Sequence, residues 1–256
     1  MYTIMFANQK GGVGKTTSVQ ETAYFLSKKY SVLLIDFDGQ RNLTMNFELE
    51  ENDNKCKTIY DLLTENSSLE NSICEIRKNI DIIPGHRKLL SQYFISPEDI
   101  YLLKRLIKEI ESYNVYDFIL IDVGPESGQL MTMAMIASDY IVAITAAGIN
   151  SYHGLIQMCK DLSNCKEIIK DFNVSVIGML FTQADIRTNI ANNSINRLNS
   201  LTEIIGAPLF KTYIRKSVCV DEAKEFQQFI SEYQPNSTVA DDYKNFCLEL
   251  MERLKK

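Results

Sequence analysis

Ten residues near the start of the chain, NQKGGVGKTT from Asn8 to Thr17, combine two lysines, three glycines and two threonines in an order suited to holding an anion. Gly11, Gly12 and Gly14 let backbone N–H groups turn inward with no Cβ in the way. Lys15 is placed to meet the terminal phosphates of a nucleoside triphosphate, and the Thr16 hydroxyl to ligate Mg²⁺. With Val13 and Thr17 these residues make one continuous candidate cradle. Two details break the strict pattern G-x-x-x-x-G-K-[ST]. Its first glycine is replaced by Gln9, and a second lysine, Lys10, stands where such a loop has no evident need of one.

Two carboxylate-bearing runs lie downstream. In LLIDFDGQRN, residues 33–42, an apolar run ends in Asp36 and Asp38 follows two positions later. Strand alternation sends both to one side. A carboxylate there can orient a lytic water or hold a metal-bound one. Strand-end aspartates also cap the turn that follows, and spacing alone leaves both roles open. In YDFILIDVGP, residues 116–125, four apolar residues lead to Asp122, the shape of a strand whose last aspartate holds Mg²⁺ directly or through water.

Elements of a particular kind must bring these groups together. Runs apolar on consecutive positions predict strands over 2–7, 31–36, 80–84, 117–122, 139–145, 174–181 and 208–214. Helical spacing predicts helices over about 15–29, 97–112, 152–170, 188–204 and 238–255. The alternation implies an α/β fold, a doubly wound, mostly parallel sheet with helices on both faces, and a ligand at the carboxyl ends of the strands. A length of 256 residues suits one domain over 1–256, and no helix-turn-helix precedes the loop. The polar, acidic stretch 44–57 reads as a surface excursion within that domain.

Composition narrows the partners. A net charge of −6 excludes a chain basic all over, so DNA contact would have to rest on clustered cations. The candidates are Arg187, Lys211, Arg215 and Lys216; the alternative is that they are scattered solvated charges. The six cysteines form no C-x-x-C pair and are read as free thiols of a reducing compartment. The chain opens directly on a strand, without a secretory leader, and no apolar run is long enough to span a bilayer. A cytoplasmic protein is expected.

KGGVGKTT, DFDGQRNLT, YDFILID, DYIVAIT, FTQADIRTN and the segment from VCVDEA to DDYKNF together resemble the ParA branch of the ParA/MinD deviant Walker ATPases, from about residue 3 to residue 250. The resemblance implies an ATPase using ATP and Mg²⁺ that forms a sandwich dimer on ATP binding. It also implies that the dimer binds double-stranded DNA nonspecifically, near nucleoid or plasmid, to drive plasmid or chromosome partitioning. A ParB-like centromere-binding protein would stimulate an otherwise slow turnover. Lys10 would be the signature lysine reaching the partner's nucleotide, Asp38 the residue needed for hydrolysis and Asp122 the Walker B acid. Gln183 and Arg215 would contact the base. The residues agree on Lys10: Lys15 already serves the phosphates from inside, so a cation on the outer wall of the loop is best used by a two-fold-related copy.

The chain departs from that family's pattern in places. Gly39 stands where a proline is usual, Arg41 where a glycine is usual, and VGPESG keeps only Pro125 of two prolines. Cys219 occupies a segment that often carries an arginine. A MinD-like membrane role would require a basic amphipathic helix at the C-terminus. There Val239, Tyr243, Phe246, Leu250 and Leu254 recur at helical spacing among four acidic residues, which predicts packing on the core. A metal or iron–sulfur carrier would need paired cysteines at a dimer interface, and the spacings do not offer them.

Overall fold

Strands that are apolar on every position need cover on both faces, and the helices supply it. The computed structural model describes residues 1–49, 56–91, 96–125, 128–170 and 172–255. Its strands are β1 (Tyr2–Ala7), β2 (Val32–Phe37), β3 (Cys74–Arg77), β4 (Ile80–Ile83), β5 (Phe118–Val123), β6 (Tyr140–Ala146) and β7 (Ser175–Thr182). They form one sheet in the order β3-β4-β2-β5-β1-β6-β7, parallel except for β3 at one edge. The helices are α1 (Lys15–Leu26), α2 (Asn42–Met45), α3 (Ile59–Leu63), α4 (Leu102–Ser112), α5 (Gln129–Ala137), α6 (Ile149–Ile168), α7 (Asn189–Ile205), α8 (Cys219–Glu225), α9 (Ile230–Tyr233) and α10 (Thr238–Leu254). Met5, Leu33, Ile35, Ile119 and Ile121 point to the face covered by α3 to α7. Their neighbours Ile4, Phe6, Leu34 and Leu120 point to the face covered by α1 and α8 to α10. Each such fully buried side chain contributes about 1.5–3 kcal/mol.

Six of the seven expected strands appear, with ends within about one residue, as is usual for such boundaries. The seventh does not: 208–214 is no strand. It lies beside β7 through bridges at Leu209 and Arg215 only. Between them the N–H groups of Lys211 and Thr212 turn to the Glu249 carboxylate on α10 instead of a ladder. Arg253 stacks on Phe210 and donates to the carbonyls of Ile177, Pro208 and Leu209, which holds the segment in place.

Three other expectations change. The helix over 97–112 begins as a 3₁₀ turn, Pro97–Tyr101, before α4. The 44–57 excursion is not all surface, because Thr44 is buried and Phe47 and Leu49 pack on the core; residues 50–55 lie outside the described residues, as do the two after Pro125. The cysteines are not all free. β3 turns back along β4 and brings Cys74 to Cys56 in a disulfide, with Cα atoms 6.2 Å apart; Cys159, Cys165, Cys219 and Cys247 remain thiols. In α10, Val239, Tyr243, Phe246, Leu250 and Leu254 are all buried, so that face is core. No helix among the described residues is long and apolar enough to cross a membrane.

Candidate nucleotide site

The loop of residues 8–14 joins β1 to α1 and is braced from the side by α6. Asn8, fully buried, donates to the carbonyls of Ile144 and Ser151, and Gln9 donates to Asp161. Gly154 permits this approach: a Cβ there would overlap Asn8 Oδ1 and lie 3.1 Å from the Lys10 nitrogen. Gln9, the residue that breaks the strict motif, therefore has a structural use as a tie to α6.

Gly12 and Gly14 adopt φ of +74° and +88°, a region other residues enter only at a cost, so the backbone can wrap. α1 starts at Lys15, and its first N–H groups and partial positive charge face the cavity inside the loop. Lys15 is buried and its Nζ lies 3.3 Å from the Lys10 carbonyl, crossing the loop from inside. The Lys10 side chain is exposed and makes no hydrogen bond or ion pair with a described residue. From β7, the Thr182 hydroxyl reaches the carbonyls of Val13 and Thr145, and Gln183 donates to the Gly12 carbonyl at 2.6 Å.

The two aspartate-ended strands are neighbours, and their register sets Asp36 opposite Asp122. Their roles diverge. The Asp36 carboxylate accepts from the Thr44 N–H and hydroxyl at 2.8 and 2.5 Å and from the Asp38 N–H, so it caps α2 and shapes the turn. Asp38 faces the cavity, with its Oδ1 accepting from the Gln40 N–H. Asp122 Oδ2 accepts from the Thr16 hydroxyl at 2.7 Å, while its Oδ1 is buried without a partner. Burial, then the Asp36 charge, push the Asp122 carboxyl up to about 8, against the pull of Thr16 and Lys15. An orphaned carboxylate oxygen beside a hydroxyl, in a pocket too dry to carry negative charge alone, fits a hard divalent cation. Thr16 and Asp122 would hold Mg²⁺ here, which supplies charge neutralisation to the phosphates when bound.

Both departures around Asp38 have a physical account. Arg41 takes φ +58°, the conformation a glycine adopts freely, and its buried guanidinium donates to the carbonyls of Gly85 and Leu49. At Gly39 a Cβ would overlap the Leu90 side chain, which would have to turn aside to admit the proline of the usual pattern.

The cleft outside the loop has a volume of about 500 Å³, in the range of small-ligand sites. Its near wall is Gly11 to Thr17; its far wall runs from Ile214 through Ser217 and Val220 to Lys224, with Tyr243 beneath. Gln183, Arg215 and Lys216 line it too. Of the four candidate DNA cations, two already have partners. Arg187 pairs with Asp185 at 2.9 Å, and Arg215 grips Asp242 at 2.6 Å and the Thr238 carbonyl. Lys216 is tied by its N–H to Ala184, beside that pair, whereas the Lys211 N–H is held at α10. Sequence reasoning missed Asn8, Gly154, Thr182 and Glu21 of α1, because each acts on residues distant in the chain.

Comparison with known proteins agrees with this geometry. The family model of an AAA domain (AAA_31) matches residues 1–177. The chain is 31% identical over 252 residues to the sporulation initiation inhibitor protein Soj of Bacillus subtilis, covering 96% of this chain and 97% of that one. It is 29% identical to the chromosome-partitioning ATPase Soj of Treponema pallidum, covering 98% and 97%. Among solved structures, apo McdA of Cyanothece superposes with a TM-score of 0.85 at 21% identity, covering 99% of each chain. A putative plasmid partition protein from Borrelia burgdorferi bound to AMPPNP gives 0.77 at 24% identity, covering 98% of each. Fold, loop and relatives converge: the chain belongs to the ParA/MinD family of P-loop ATPases.

Proposed function

We propose that the chain is a cytoplasmic, Mg²⁺-dependent ATPase of DNA partition that alternates between a monomer and an ATP sandwich dimer. The dimer binds double-stranded DNA nonspecifically, near nucleoid or plasmid, and a ParB-like protein accelerates a slow intrinsic turnover. One observation carries the dimer: Lys15 is buried inside the loop while Lys10 stands exposed on its outer wall with no partner among the described residues. A cation in that position can do little for its own site and much for a facing one. The partition role rests on similarity to the chromosome-partitioning ATPase Soj of Treponema pallidum.

In this reading the loop N–H groups of residues 11–17 and the start of α1 bind the phosphates. Lys15 and Lys10 of the partner subunit stabilise charge as water attacks the γ-phosphate in line. Thr16 and Asp122 hold the Mg²⁺. Asp38 orients the attacking water. Gln183 and Arg215, both lining the cleft, contact the base. For DNA, Lys216 is the better candidate, since the guanidinium groups of Arg187 and Arg215 are paired with Asp185 and Asp242.

Lys10→Ala separates the roles of the two lysines. Equilibrium binding of ATP should stay within about threefold of wild type, while ATP-dependent dimerisation, read by light scattering, and turnover should be lost. A variant that dimerises and turns over normally would refute the trans role.

A further inference from the structure

The mechanism leaves the buried carboxyl of Glu21 unused. Glu21 lies on α1, two turns after the phosphate loop, and is 2% exposed. No cation faces it. The titratable groups around it are Glu232 on α9, Cys219 on α8, and Tyr243 and Cys247 on α10. Arg77 from β3 pairs with Glu232, not with Glu21. The carboxylate instead accepts three hydrogen bonds from one place: the Ile230 N–H at 2.6 Å, the Ser231 N–H at 3.2 Å and the Ser231 hydroxyl at 2.7 Å. A buried carboxylate is costly even when so bonded, and an apolar side chain would fill the same space without that cost.

What those bonds hold is the far wall of the cleft. Ser217, Val220, Asp221 and Lys224 line it, and all belong to the stretch that runs through α8, turns at Gln227 with φ +51° and ends at α9. The outer side of this stretch is bare, with Val218 71% and Phe226 61% exposed. It reaches the body through Phe229, clasped by the rings of Tyr24 and Phe47 at 5.1 and 5.4 Å, through the buried Cys219, Ala223 and Ile230, through the Arg77–Glu232 pair and through Glu21. Tyr24 and Glu21 are both on α1, so the helix that begins at the phosphates also fixes the opposite wall.

We propose that residues 217–234 form a strap that retains nucleotide in the cleft, and that Glu21 is the positioning residue that latches it. This rests on the nucleotide-site reading above. Burial pushes the Glu21 carboxyl up to about 7 against these hydrogen bonds, so the latched form favours the protonated acid. The sign follows from linkage: a carboxyl raised when latched stabilises the latch below its free value, about 4.5, and loses that contribution as pH rises through 7. Nucleotide release should therefore quicken with pH, in a manner set by Glu21.

The test is the dissociation rate of a fluorescent ADP (mant-ADP) from the full chain, chased with unlabelled ADP from pH 5.5 to 8.5, with melting temperature recorded beside it. Wild type should release about tenfold faster at pH 8 than at pH 5.5. Glu21→Gln should flatten that profile. Glu21→Ala should release about tenfold faster than wild type at pH 6, and Ser231→Ala should shift the same way by less. A folded Glu21→Ala that keeps the wild-type rate and slope overturns the proposal. If Glu21→Ala does not fold, a Glu21→Gln profile as steep as wild type overturns it instead. A wild-type chain that binds no adenine nucleotide sinks the nucleotide-site reading; one that binds, with release indifferent to Glu21, sinks only the latch.

Discussion

The two walls of the cleft are built in opposite ways. The phosphate wall is regular: a parallel strand, a glycine turn and a helix, with Asp36 and Asp122 delivered by adjacent strands in register. Its side chains are buried and bonded to near neighbours in the fold. The far wall is irregular. Residues 208–234 form no strand; backbone bonds from residues 179–184 hold 208–216, and side chains reaching from α1 and α10 also hold the wall in place: Glu21, Asp242, Glu249 and Arg253. In the proposed reading the rigid wall fixes the reacting atoms and the strapped wall controls entry and release.

Breaking the rigid wall should have the largest consequence. Asp122→Asn removes the metal-facing charge, and Mg²⁺-dependent ATP turnover should fall about a hundredfold or more while the fold is retained. A phosphate-release assay with circular dichroism alongside checks both halves. Next, Gly154→Val would force α6 away from Asn8 and Lys10, and should lower stability by about 1–3 kcal/mol in urea unfolding. Its binding of ATP should weaken as well, since the loop is what moves. The smallest effect sharpens the account of the Asp38 turn. Arg41→Ala should destabilise more than Arg41→Gly by about 1 kcal/mol, because glycine alone takes φ +58° without strain. Equal losses in the two would mean the guanidinium bonds to Gly85 and Leu49 account for everything.

The same division decides what could be read from the sequence. NQKGGVGKTT and the two aspartate-ended runs carry their meaning locally, since the order strand, turn and helix is itself the site. Spacing alone could not tell Asp36 from Asp38, though the family resemblance singled out Asp38, because the choice is made by Thr44, whose position relative to Asp36 depends on how α2 folds back. The 208–214 run mimicked a strand by composition, and only Glu249 and Arg253, far along the chain, show why it does not ladder. α5 went unseen because it has no polar face to mark a period: Met131 and Met133 to Ala137 are all buried. Cys56 and Cys74 are 18 residues apart with no motif between them, so their pairing depends on the turn back of β3. Glu21 carries no local signal of its role, and nothing nearby announces that Ile230 and Ser231 close over it.

The central claim is that nucleotide converts this chain into a dimer through Lys10. Sedimentation velocity of an Asp38→Ala variant with ATP and Mg²⁺, beside the same variant carrying Lys10→Ala, tests it most directly. The first should sediment as a dimer with ATP and as a monomer without it, and the second as a monomer throughout. Two variants that dimerise alike, or an Asp38→Ala chain that stays monomeric with ATP bound, would contradict the account.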